Sequence, residues 1–260
     1  MIPRRPRRGA LALVIVSVAA LGCDANFGAT ELDETETGGE TPEELVECRG
    51  AEYPASAVLV LDPESPAVFV DGDAALAEFT GIRCIPAGLV QVSGVSDLGP
   101  LASLERASTL LLIDNPGLTH LDALSSLTHI GSLVVDRNLD LVDASGLANL
   151  VSVQFLTLGE EDPEGPSPAH GNDALTQLPE LVALVEADAI VLADNDALTS
   201  LGSPPAVELV DVSVWNSPLL PFADAAAWGQ AMANDSTSIR ICGCLDDPNP
   251  VCTQDPLPPP

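Results

Sequence analysis

The sequence predicts a parallel β-solenoid. Three observations predict it: short apolar strands that recur every 23 residues, an Asn at the end of each, and apolar residues at every third place behind it. Written from its first strand residue, Leu110 begins LLLIDNPGLTHLDALSSLTHIGS, Leu133 begins LVVDRNLDLVDASGLANLVSVQF, and Ile190 begins IVLADNDALTSLGSPPAVELVDV. Each segment has apolar first and third places, Asn at the sixth (Asn115, Asn138, Asn195) and Leu at the ninth (Leu118, Leu141, Leu198). From the ninth place onward, fourteen of fifteen three-step slots are apolar, Pro204 being the exception. Chance at this composition would fill about seven. A strand with a return path of fixed length brings the chain back above its start, so successive strands pair in parallel and bury apolar residues that one coil alone could not.

The elements follow in chain order. Residues 1–22 read as an export signal: MIPRRPRRGA is a basic start, and Leu11–Leu21 is an apolar run of eleven residues. A spanning helix needs roughly 20, so a cleaved signal fits better. The ending Ala20-Leu21-Gly22-Cys23 resembles a bacterial lipobox, with Ala20 where that family usually has Leu. The resemblance implies lipidation of Cys23, cleavage after Gly22 and a stable acyl anchor. An ordinary secretory signal and, through Arg7-Arg8, a twin-arginine route are the alternatives. Asp24, next to the lipidated Cys, resembles the inner-membrane retention signal of enteric bacteria, so the inner membrane stays open beside the outer membrane or cell surface.

Residues 23–47 form an expected acidic tether: Asp24–Glu47 contains nine acids and no base, a composition that repels itself and has little to bury. Residues 48–245 are the expected solenoid. Val68-Val70 and Val90-Val92 are its first, less regular strands; Leu156-Leu158 and Val212-Val214 add two more, and Asn216 with Leu219 extends the Asn ladder through a shortened turn. Between Leu156 and Ile190 the distance is 34 residues, so eleven extra residues lie within Gly159–Asp173. Glu160, Glu161, Asp162, Glu164 and His170 of this acidic insertion are the candidate binding loop, because repeat folds accept insertions at the surface. Ala226–Ala233 reads as a short helix, and Ser238–Cys242 as a candidate last strand. Residues 246–260 are Pro-rich and expected to be a loose tail.

The motif LLLIDNPGL followed by LTHIGSLVVDRNLDL resembles the receptor L-domain, a relative of leucine-rich repeats found in receptor ectodomains and bacterial surface proteins. In ordinary leucine-rich repeats the next Leu follows Asn by two; here it follows by three. The resemblance spans roughly residues 48–244 and is strongest over 89–219. It implies a right-handed parallel solenoid, α/β by convention, mostly strand and turn with short helical segments. It also implies protein binding or a scaffold role, with no shared catalytic residues.

Export places the cysteines in an oxidising compartment, where disulfides are the default. Cys48 and Cys84 flank the first irregular strands and would close that end. Cys252 can pair with only one of Cys242 and Cys244; Cys244–Cys252 is slightly favoured, and one thiol is left over. Three Cys without a nearby fourth ligand make a poor zinc site.

A charge of −30, from 39 acids against nine Arg, excludes nucleic acid as a partner. The same excess predicts weak, diffuse divalent-cation binding. Asp71-Gly72-Asp73 and Asp194-Asn195-Asp196 offer hard oxygen ligands but match no EF-hand loop and read as turns. His120, His129 and His170 are the only histidines; no nucleophile, dinucleotide or P-loop motif accompanies them. No catalytic residue, cofactor or metal site is predicted. Trp215, beside a strand, is the aromatic residue most suited to a partner contact. The sequence therefore predicts a lipid-anchored envelope protein that presents its repeat domain to a protein partner or serves adhesion. A structural envelope lipoprotein without a specific ligand is the alternative.

Overall fold

A computed structural model describes residues 45–159 and 171–248. All belong to one compact unit, Glu43–Pro260; the other unit, Met1–Pro42, lies outside the described residues. The expected signal, Cys23 and most of the expected tether and tail therefore also lie outside them.

The unit opens with an antiparallel hairpin, β1 (Leu45–Cys48) and β2 (Ala51–Pro54). Arg49 and Gly50 connect the strands with φ of 51° and 82°, the two positive values of the tight turn that matches strand twist. Eight parallel strands follow: β3 (Ala67–Asp71), β4 (Cys84–Ser93), β5 (Arg106–Ile113), β6 (His129–Asp136), β7 (Ser152–Leu158), β8 (Glu186–Ala193), β9 (Asp211–Trp215) and β10 (Ser238–Cys242). They lie side by side in sequence order, every neighbouring pair parallel. Register follows the repeat. Leu110 faces Leu133 and Leu133 faces Leu156, each 23 residues on, while Leu156 faces Ile190, so the eleven extra residues stay outside the ladder.

The expected solenoid is corrected by this arrangement. The described strands make an eight-stranded parallel sheet that ends on β3 and β10 and does not close. Neighbouring return segments are joined by hydrogen bonds such as Val142 N–H to Thr119 O and by isolated bridges such as His120 with Asp143 and Gln177 with Ser200, but among the described residues they form no continuous ladder and no second sheet. The physical reason is local. Asp97 accepts a hydrogen bond from Gly99 N–H at 2.8 Å, and Asp143 accepts one from Ser145 N–H at 2.7 Å. Each diverts the returning chain into a short 3-10 turn, at Gly99–Leu101 and Ser145–Leu147. The α/β label applies only loosely, since the α-helices among the described residues are α1 (Asp73–Leu76) and α2 (Phe222–Ala231).

Burial follows strand alternation. Val90, Leu110, Leu133, Leu156, Ile190 and Val212 point inward and are wholly buried, as are Leu121, Leu124, Leu147 and Leu150 on the return segments. Together they form one continuous core, each buried side chain contributing about 1.5–3 kcal/mol. The three-step series slips after Gly202. Val210, expected inside, is 63% exposed, and Leu209 is buried in its stead. The Ser203-Pro204-Pro205 stretch changes the residue count, and Leu209 N–H bonds to Met232 O at 3.0 Å. The expected helix at Ala226–Ala233 begins earlier, at Phe222, and packs Ala225, Trp228 and Gly229 inward.

Candidate functional site

The Asn side chains sit where each strand turns, and they are wholly buried. Asn115 N–H donates to Asn138 Oδ1 at 3.1 Å, while Asn115 Nδ2 donates to Val92 O at 3.1 Å. Asn138 N–H and Nδ2 both reach Asn172 Oδ1, at 3.3 and 3.2 Å; Asn172 N–H in turn reaches Asn195 Oδ1 at 3.3 Å. These side chains satisfy backbone groups that the corner would otherwise strand. Asn172 was missed from the sequence. Its signal was the same three-residue spacing to a core Leu, here Leu175, which would have placed the insertion before it.

Asn216, expected in the ladder, lies one place early. It adopts a φ of 44° at the corner itself and donates to Asp194 Oδ1 at 2.9 Å. The buried place belongs to Ser217, which is followed three residues later by buried Leu220, whereas Leu219 is 52% exposed. Asn115, Asn138, Asn172 and Asn195 thus serve the fold and offer no ligand group to solvent, whereas Asn216 is exposed.

The candidate binding loop, Glu160, Glu161, Asp162, Glu164 and His170, lies outside the described residues, as does Cys252. Cys48 and Cys84 are disulfide-bonded, with Cα atoms 6.4 Å apart. At the other end, the favoured Cys244 pairing is corrected: Cys242 is the disulfide-bonded residue and Cys244 is a free, buried thiol. Burial, and secondarily the Asp247 charge, push that thiol up to about 12. In β10, Ile241 and Cys242 are both buried, and Gly243 turns the chain at a φ of 66°.

What the fold offers outward is the other side of the sheet. Register places Phe69, Gln91, Leu111 and Val134 in one row across β3 to β6, and Leu89, Thr109, Ser132 and Phe155 in the next across β4 to β7. Phe69 is 60% and Phe155 50% exposed, with Leu89, Leu111 and Val134 half-buried between them. Toward β7–β9 the outward Thr157, Val191 and Ser213 are buried.

At the start of the strands, Arg106, His129, Ser152 and Glu186 occupy one row. The residue types of a nucleophilic triad are present, but Ser152 Oγ donates to Glu186 at 3.0 Å, and His129 Nδ1 bonds to Thr128 Oγ1 at 2.9 Å. The acid holds the hydroxyl and the imidazole is turned aside, the reverse of the order a serine nucleophile needs. Desolvation, then the charges of Arg106 and Arg49, lower the His129 pKa, with Glu186 opposing. His120 is exposed and bonds to Thr119 Oγ1.

Among the described residues no group of three His, Cys, Asp or Glu could hold a metal ion. The oxygens of Asp73 accept bonds from Ser96, and Asp194 accepts from Asn216, so both acidic turns are braced from within. Trp215 is half-buried with the Arg240 guanidinium 5.8 Å above its ring. A groove of about 310 Å³ runs beside α2, lined by Ser200, Gly202, Pro204, Asp224 and Trp228 among others. Comparison of the chain with protein-family models, curated proteins and solved structures found no match.

Proposed function

We propose that this chain is an exported protein, lipid-anchored through Cys23 to the cell envelope at the outer membrane or cell surface. It presents the outward face of its parallel sheet to a protein partner in recognition or adhesion. The single observation that carries the reading is the open outward face of the sheet, where Phe69 and Phe155 are exposed in adjacent rows and Leu89, Leu111 and Val134 lie half-buried between them. Parallel sheets are ordinarily covered on both faces, and contiguous exposed apolar side chains mark contact sites. The net charge of −30 favours a partner whose contact rim is basic. The diverted Ser152 and His129 side chains support a binding role over a hydrolytic one, and the resemblance to the receptor L-domain supports it in kind.

The test is site-specific photocrosslinking in intact cells. A probe at Phe155 should capture one discrete protein, and a probe at Val182, 78% exposed on a return segment, should not. Equal capture at both positions, or none at Phe155, would remove the reading and leave a structural envelope lipoprotein. Protease shaving of intact cells with and without Cys23→Ala tests the anchor separately: release of the chain into the medium by the substitution is the expected result.

A further inference from the structure

The described residues include five Arg. Three are paired with carboxylates: Arg83 with Glu105, Arg137 with Asp114 and Asp136, and Arg240 with Asp211. Arg49 and Arg106 have no carboxylate partner among the described residues, although the chain has 39 acids. These two lie together. Arg106 Nη1 donates to Arg49 O at 2.8 Å, and Arg106 is in direct register with His129 on β6. The Arg49 guanidinium lies over β6 at Gly131, where a Cβ would come within 3.7 Å of Nη2 and 2.6 Å of Ser108 O. The absent side chain keeps that approach open.

The surroundings hold the pair in place and engage two of the nearby acids, Glu105 and Glu186, while Glu47 and Glu52 face each other across the hairpin that carries Arg49. The disulfide Cys48–Cys84 fastens the hairpin to β4. Tyr53 OH donates to Glu105 Oε2 at 3.1 Å, and Arg83 Nε takes Glu105 Oε1 at 2.8 Å, so both oxygens of that carboxylate are engaged. Glu186, at the far end of the His129 row, is bonded by Ser152. Arg49 itself occupies the left-handed region at a turn position that suits Asn, Asp or Gly. Placing Arg there strains the backbone, and such strain recurs where a side chain is held for a purpose.

The geometry points to a binding site for an oxyanion at Arg49, Arg106 and His129. The two guanidinium groups supply paired donors of the kind that suits carboxylate, phosphate or sulfate oxygens, and the imidazole adds a third donor when protonated. The site does not rest on the outward apolar face and stands if that reading falls.

The experiment uses the full chain purified in detergent, titrated by calorimetry with sodium phosphate, sodium sulfate and sodium acetate. His129 is followed in parallel by NMR. At least one anion is expected to bind saturably and to raise the His129 pKa, since it offsets the Arg49 and Arg106 charges more strongly than Glu186 does. Arg106→Gln should weaken binding roughly tenfold or more, the worth of a charge-assisted bond. Arg49→Gly should do the same while folding at least as well, because glycine relieves the turn. Arg137→Gln should leave binding unchanged. A preference for phosphate or sulfate assigns the ligand to a tetrahedral ester, and a preference for acetate assigns it to a carboxylate. No saturable binding of any of the three, or binding that survives Arg49→Gly combined with Arg106→Gln, would overturn the site.

Discussion

The Asn138 side chain joins two neighbours and one strand end: Oδ1 accepts Asn115 N–H, while Nδ2 donates to Leu112 O and to Asn172. Asn138→Ala would leave buried donors and acceptors without partners, each costing about 1–3 kcal/mol. A loss of about 3 kcal/mol in urea unfolding is expected, against about 1–2 kcal/mol for Asn216→Ala, which is exposed and loses mainly the tolerance of Asn for its left-handed φ of 44°. Equal losses would mean the buried corner bonds matter no more than the outer one. The Cys244 thiol gives a second residue-scale test. Its pKa, about 12 when folded, is raised by burial, so the native state favours the protonated form. That contribution is complete below the ordinary thiol range and is lost as pH rises through the folded value. At pH 8, Cys244 should resist a thiol reagent until denaturant is added; rapid native labelling would contradict its burial. At this scale the recurring Leu and Asn were legible because they obey a count. Ser217 was not, since Asn216 and Leu219 mimic the same spacing one residue early.

Between residue and sheet stands the hairpin β1–β2, which periodicity could not reveal. Four-residue strands without a repeat partner leave only one sequence cue, Arg49-Gly50 at the turn, and the acidic surroundings obscured it. The disulfide joins this hairpin to β4 over a separation of 36 residues. In the chain-entropy account such a loop is worth about 3–4 kcal/mol. Cys48→Ala with Cys84→Ala should lower stability by about that amount and expose Tyr53 to solvent, seen as a change in its fluorescence. An unchanged midpoint would show that Tyr53–Glu105 and Arg106–Arg49 hold the hairpin unaided. The oxyanion corner was nearer to legibility than it looked. Arg106, His129 and Ser152 are each 23 residues apart and lie in register on neighbouring strands, so the repeat that positions the core also stacks these side chains. Reading only the apolar slots of the repeat concealed them; reading the polar slots with the same count would have gathered the row. Closure of the return segments was a different matter. The apolar count describes burial and does not say whether polar turn residues bond locally or across to the next return.

For the molecule as a whole, charge and sheet edge oppose each other. The sheet ends at β3, where Phe69 is 60% exposed. An edge strand is a template for pairing with another chain. Against this stands the −30 charge, which separates copies at neutral pH. The sequence pI is about 4.1. As pH falls toward that value the carboxylates take up protons, repulsion between copies fades, and the edge becomes free to pair. Light scattering should therefore rise steeply as pH approaches 4, and at neutral pH the chain should remain dispersed. Phe69→Lys adds a charge that persists at acidic pH and removes the apolar contact, so it should move the rise to a more extreme condition or abolish it. Val182→Lys changes the charge equally on a return segment and should do far less. If both substitutions shift the curve alike, net charge alone governs association and the β3 edge has no part in it.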